Sequence, residues 1–141
     1  MSSQQITVKA LCLFRNGDSI LVSDGYDSVK QESYCRPLGG SVEFGERAID
    51  AVVREIREEL GVEVHDVQLL GVLENLFTVD GEAGHQVMFV YDARFVDETL
   101  YTRTTLPFTE EGWASNEARW YNLTAPEATR LVPEGLRVLL G

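Results

Sequence analysis

Apolar and polar positions along this chain fall mostly into short runs of strand character, and in one stretch they recur with a helical period. Ile6 to Phe14 is rich in branched and apolar residues and reads as a β-strand. Asn16-Gly17 is a two-residue hairpin signal, and Ser19 to Ser23 returns as a second strand. Asp24 to Ser33 loses the periodicity and reads as a polar loop. Tyr34-Cys35-Arg36-Pro37 is a short strand entering a glycine-rich turn at Gly39-Gly40. From Arg47 to Leu60 the pattern becomes helical: Ile49, Val52, Val53, Ile56 and Leu60 share one side, and Gly61 stops the helix.

Beyond the helix, Val64 to Leu70 and Gly71 to Phe77 are two strand candidates, and Asp80 to Gly84 is a turn. His85 to Phe95 is a long strand, so Leu73–Thr78 and His85–Tyr91 are expected to form a hairpin. Asp97 to Trp113 is loop-like and acidic, and Ala118 to Asn122 is the last strand expected, with Trp120 its core anchor. Thr124-Ala125-Pro126-Glu127 has the form of a capping box opening a C-terminal helix, which Pro133 and Gly135 divide before the apolar Leu136 to Leu140. Strands, a central helix, more strands and a final helix predict an α/β fold, an α/β/α sandwich with a mixed β-sheet. No repeat or linker interrupts residues 1–141, and we expect a single domain.

Charge narrows the partners. Twelve basic against 23 acidic residues give −11, which argues against a nucleic-acid surface or an anionic membrane. No apolar stretch approaches the ~18 to 20 residues of a membrane span, and no N-terminal run resembles a signal peptide. Cys12 and Cys35 sit in strand-like contexts without metal-ligand spacing, so we expect both reduced, in a cytoplasmic protein.

The helix also carries candidate chemistry. Glu55, Glu58 and Glu59 crowd a face about a quarter-turn from the apolar stripe, with Ala48 and Ala51 N-terminal to them on that face. Like charges at this spacing cost a few tenths of a kcal/mol per pair in an isolated helix. Hard divalent cations with oxygen ligands are the natural remedy, which points to Mg²⁺ or Mn²⁺. The alanines leave room for an ion and a substrate, and Glu43 and Glu46 add carboxylates near the helix start, where the helix dipole favours them.

Gly40, Glu46, Arg54-Glu55-Ile56, Glu58-Glu59 and Gly61-Val62 stand at spacings that resemble the Nudix box at every fixed position, although Pro37-Leu38-Gly39-Gly40 replaces the commoner Leu-Pro-Gly-Gly. The resemblance implies the Nudix fold and a metal-dependent pyrophosphohydrolase. Its expected substrate is a small-molecule nucleotide in which a nucleoside diphosphate is linked to another group. By the same resemblance Glu58 and Glu59 bind metal with the Gly39 carbonyl, and Glu55 is a further ligand or the base. Arg54 holds Glu55, and Glu46 supports the loop or contacts an outer metal. Glu55, Glu58 and Arg54 are thus the catalytic candidates, and Gly39, Glu46, Glu55, Glu58 and Glu59 the metal candidates.

Arg36, Tyr26 and Phe77 are the candidate substrate-binding residues, each with a plainer alternative: an ion pair for Arg36, packing for Tyr26, a core position for Phe77. A distal acidic residue from Glu98, Glu110, Glu111 or Glu117 is expected to complete the site, and His85 or Gln86 could face it. Asn75 to Asp80 contains neither the proline nor the tyrosine that in the family go with ADP-ribose and dinucleoside polyphosphate cleavage. A nucleoside triphosphate pyrophosphatase is the rival within the class, and a silent regulatory module the rival outside it. The resemblance leaves room for a homodimer.

Overall fold

A computed structural model describes residues 4–109, 117–125 and 129–140. Among the described residues, nine strands, β1 (Ile6–Leu13), β2 (Arg15–Asn16), β3 (Ser19–Asp27), β4 (Glu32–Ser41), β5 (Val64–Val79), β6 (Glu82–Phe95), β7 (Thr105–Pro107), β8 (Glu117–Asn122) and β9 (Arg130–Leu131), form one mixed sheet. Helix α1 (Ala48–Leu60) lies against one face, and a short helix α2 (Leu136–Leu139) packs on the other. The main strand order is β5-β6-β1-β4-β3-β8-β7, with β1 and β6 parallel and the other neighbours on this path antiparallel. This is the expected α/β/α sandwich, with a thin second helical layer.

Strand β4 joins the two halves of the sheet. Its first part pairs with β3 from Glu32 to Pro37, and its second part pairs with β1 from Leu38 to Ser41. Where β1 ends, the short β9 pairs with Tyr34 and Cys35. Alternation along the strands then builds a core on each face. Ala10, Cys12, Leu21 and Leu38 pack with Val52 and Ile56 of α1, while Leu13, Ile20, Val22, Cys35 and Val90 pack with Leu136 of α2. Fully burying a side chain such as Ile56 stabilises the fold by roughly 1.5–3 kcal/mol. The Phe14 and Phe95 rings stack at 4.0 Å in the α1-side core. Both cysteines are buried and free, as expected.

Several expectations change. Asp24 to Ser33 is mostly strand: β3 runs to Asp27 and β4 starts at Glu32, leaving a turn whose Gln31 has φ 55. Gly39-Gly40 is not a turn but part of β4, because close packing on β1 and α1 selects glycine there. Val64 to Phe77 is one strand, kept continuous across Leu70-Gly71 by register shifts that absorb the irregularity. The hairpin after β1 turns at Gly17-Asp18 instead of Asn16-Gly17, with Gly17 at φ 61. The Asp97 segment contains a short 3-10 helix (Glu98–Thr102) and β7; Glu110 to Trp113 lie outside the described residues.

Tyr121 is buried more deeply than Trp120, whose indole N–H instead donates to the Arg103 carbonyl at 2.8 Å. Strand β8 is followed by β9, so it is not the last. No helix opens at Thr124-Ala125, where the Asn122 side chain accepts from both backbone N–H groups, and Pro126-Glu127 lie outside the described residues.

Candidate active site

Helix α1 forms where the 3.6-residue period was read, begins at Arg47 and ends at Gly61, whose φ of 68 supplies the left-handed cap. Its orientation is the surprise. The residues turned to the sheet are Ala51, Val52, Ile56 and Glu59, while Ile49 is 42% exposed. Relative to the apolar stripe in the sequence, the helix is rotated by roughly a quarter-turn towards its glutamates. Leaving Ile49 partly exposed forgoes part of its burial free energy, so the packing favours the carboxylate face over the best hydrophobic one.

The glycines explain how this is accommodated. Gly40 stands under Glu55, and a Cβ added there would collide with the Glu55 carboxyl carbon. Gly39, at φ 153, would drive a Cβ into the Ala10 carbonyl oxygen of β1. Two bare backbone units therefore let β4 pair closely with β1 while α1 packs over both, and Glu55 rests on the strand. One turn further along, Glu59 is 5% exposed, and burial, then Asp92, then Glu59 push the Cys12 thiol pKa up. Thr109 N–H donates to the Glu59 carbonyl at 2.9 Å and ties the chain beyond β7 to the helix end.

Arg54 is the hub. Its Nε and Nη2 donate to the two oxygens of Glu46 at 2.8 and 3.0 Å, and Nη1 donates to Glu55 at 3.1 Å and Glu58 at 3.2 Å. Nη2 also donates to the Ser41 carbonyl at 3.0 Å. Glu46 raises the Arg54 pKa above its ordinary value, with Glu55 and Glu58 adding to it, and Arg54 in turn holds the Glu46 carboxyl below its usual range. The Glu43 N–H donates to Glu46 at 3.2 Å, so Glu46 closes the loop ahead of α1 as a loop-holding carboxylate.

Four carboxylates, Glu43, Glu46, Glu55 and Glu58, thus share one guanidinium, an excess of three negative charges, and Glu59 follows on the same helix. The donors are all oxygens, which suits a hard divalent cation. Among the described residues, no three acidic, histidine or cysteine side chains converge closely enough in this arrangement to hold an ion. The donor chemistry fits; the convergence is left to the side chains around Arg54.

A cavity of about 850 Å³ opens between the β3–β4 and β5–β6 hairpins. Arg36 and Phe77 line it. Tyr26 does not: it lies on β3, is 52% exposed, and is away from the cavity wall. Strand β4 carries Arg36 from the cavity towards Gly39 and Gly40, roughly 10–13 Å further on at strand rise. Gln86 lines the cavity, whereas His85 sits between Ile6 and Leu76 in the sheet. Glu98 and Glu117 are exposed, and Glu110 and Glu111 lie outside the described residues. Tyr34 and Asn75 were missed as cavity residues. A glycine facing an aromatic across paired strands, Gly25 for Tyr34, was the available signal.

The chain belongs to the NUDIX domain family, whose sequence profile matches residues 4–140. Nudix hydrolases act on small nucleotide substrates and generally use divalent metal ions. Among curated proteins, the NAD-capped RNA hydrolase NudC of Pseudomonas aeruginosa is 28% identical over 121 residues, covering 86% of this chain and 38% of that protein. The chain therefore spans well under half the length of this relative. A MutT NUDIX hydrolase from Burkholderia pseudomallei superposes with a TM-score of 0.63 at 23% identity, covering 97% of each chain. A UDP-X diphosphatase gives 0.65 at 14% identity, covering 99% of this chain and 64% of that one. At these identities the solved structures establish the fold.

Proposed function

We propose that this chain hydrolyses the pyrophosphate linkage of a nucleoside diphosphate joined to a second organic group, with Mg²⁺ or Mn²⁺ held by Glu58, Glu59 and the Gly39 carbonyl. The observation that carries this is the quarter-turn of α1, which seats Glu55 on Gly40 and buries Glu59 at the expense of Ile49. Carboxylates gathered around a single guanidinium repel one another, and a divalent ion with oxygen ligands relieves that repulsion.

Water attacks one phosphorus, the bond from that phosphorus to the bridging oxygen breaks, and the bridging oxygen leaves on the second phosphate. The ion, when bound, neutralises the phosphate oxygens and makes the attacking water more acidic. Glu55, oriented by Arg54 and supported by Gly40, joins the ligand set or takes the water's proton. Arg54 and Glu46 are positioning residues, and Arg36 faces the phosphates from the cavity side.

A cavity in the upper part of the ~300–1,000 Å³ range of small-molecule sites favours a substrate with organic groups on both sides of the pyrophosphate over a nucleoside triphosphate. The relative named for NAD-capped RNA favours one further reading, a nucleotide cap on a longer chain, against which stands the charge of −11. The test is a panel of nucleoside diphosphate sugars, dinucleotides, triphosphates and a capped oligonucleotide with Mg²⁺ or Mn²⁺. We expect two phosphate-bearing organic products from the first two classes. Pyrophosphate release from triphosphates as the fastest reaction would overturn the substrate reading.

A further inference from the structure

The two hairpins that wall the cavity are not joined by the sheet. On the main path β1 stands between β6 and β4, so no ladder hydrogen bond runs directly from one hairpin to the other. Residues 28–32 and 80–83, the two tips, are exposed, and exposed turns of this kind fray readily. What fastens them is a set of bonds from tip to tip. Asp80 Oδ1 accepts both the N–H and the hydroxyl of Ser28 at 2.8 Å. Asp27, only 3% exposed, accepts the Asp80 N–H at 3.2 Å through the same Oδ1 that takes the Val29 and Lys30 N–H groups of its own turn at 3.0 and 3.1 Å. Lys30 Nζ donates to the Thr78 carbonyl at 3.0 Å.

This latch reaches the cavity from outside. Asp27, Lys30 and Thr78 are part of its wall, whereas Ser28 and Asp80 are not. Tyr34 and Arg36 stand on one hairpin, Phe77 and Gln86 on the other, and the gap between the two pairs depends on the tips staying together. Asp80 and Gly81 are the central residues of the β5–β6 turn, with φ of 53 and 79, so the turn accepts glycine at either place.

We infer that the latch sets the width of the cavity, and that Asp80, which does not line it, is a positioning residue for the substrate. This rests on the reading above that the cavity takes part of the substrate. A site that binds only while latched loses apparent affinity in proportion to the latched fraction. If breaking the latch leaves about a tenth of the molecules latched, KM rises about tenfold, while kcat, set at α1, stays within about twofold.

Asp80→Gly removes the carboxylate that holds Ser28, keeps the N–H for Asp27 and suits the left-handed turn. It is expected to raise KM for a nucleoside diphosphate sugar about tenfold, with kcat and the urea midpoint close to the wild type. Asp80→Asn keeps an acceptor oxygen and should restore most of the KM. Amide hydrogen exchange at Ser28, followed by NMR without metal or substrate, reads the latch itself and should quicken in Asp80→Gly. Quicker exchange with KM unchanged overturns the positioning role, and exchange unchanged in the variant overturns the latch. A wild type that hydrolyses nothing overturns the hydrolase reading alone. The latch is then tested by AMP affinity from calorimetry in EDTA, where a loss of about tenfold in Asp80→Gly upholds it and equal affinity overturns it.

Discussion

Replacing Arg54 with lysine keeps a positive charge at the hub and removes its fork. The five donor–acceptor contacts of Arg54 span Glu46, Glu55, Glu58 and the Ser41 carbonyl at 2.8 to 3.2 Å. An ammonium group donates from a single point and cannot bridge Glu46 and Glu55 together. The Glu58 contact counts for little, since that side chain is 59% exposed. The Glu46 and Glu55 contacts are half-buried. Charge-assisted hydrogen bonds contribute ~1.5–3 kcal/mol each when buried, so losing about two, discounted for solvent, gives roughly 2 kcal/mol. That is about a thirtyfold change in the folding equilibrium, and a fall in Tm of roughly 4–8 °C. Turnover should fall further than stability suggests, by roughly 10- to 100-fold, because Glu55 loses its orientation. Urea unfolding followed by tryptophan fluorescence, beside a turnover assay on the same preparations, measures both. Unchanged turnover, with a midpoint within experimental error of the wild type, would refute the hub.

Gly39→Ala places a Cβ against the Ala10 carbonyl oxygen at a φ of 153, and neither backbone can yield. The variant should be insoluble or unfolded by circular dichroism, and wild-type stability would contradict the β1–β4 packing. Gly61→Ala keeps the φ of 68 with a side chain and should cost roughly 1–2 kcal/mol, read as a lower urea midpoint with unchanged turnover. Acid should loosen the fold through Glu46, held low by Arg54, and Asp27, held low first by the Lys30 N–H. A folded pKa below the unfolded value gives stability that is present above about pH 4–5 and is lost as pH falls through the folded value. The urea midpoint should therefore drop below about pH 4, and Asp27→Asn should blunt the drop. A midpoint indifferent to acid would remove both carboxylates from the account.

Much of this was legible in the order of residues. The ends of α1 followed from the change of period and from Gly61, and the β5–β6 hairpin from Asp80-Gly81 between apolar runs. The family was legible because Gly40, Glu46, Arg54, Glu55, Glu58 and Glu59 hold fixed spacings. What was hidden depends on contacts between distant segments. A hydrophobic stripe assigns the buried face of a helix only when burial alone decides; here Glu55 and Glu59 face the sheet because Gly39 and Gly40 let β4 pass beneath them. Asp24 to Ser33 looked like a loop because β3 is polar there, yet its Asp27 fastens two hairpins and its Gly25 seats Tyr34. Tyr26, one residue from Gly25, faces away, since alternation on a strand sends neighbours to opposite sides.

The account turns on acidic side chains of α1 holding a divalent ion for pyrophosphate cleavage. The direct measurement is turnover of a nucleoside diphosphate sugar after treatment with EDTA and re-addition of Mg²⁺ or Mn²⁺, for the wild type and a folded Glu58→Gln, Glu59→Gln double variant. The wild type should fall silent in EDTA and recover with either ion, and the double variant should recover less than about a hundredth of that rate. Turnover that persists in EDTA, or a double variant that recovers fully, would contradict it.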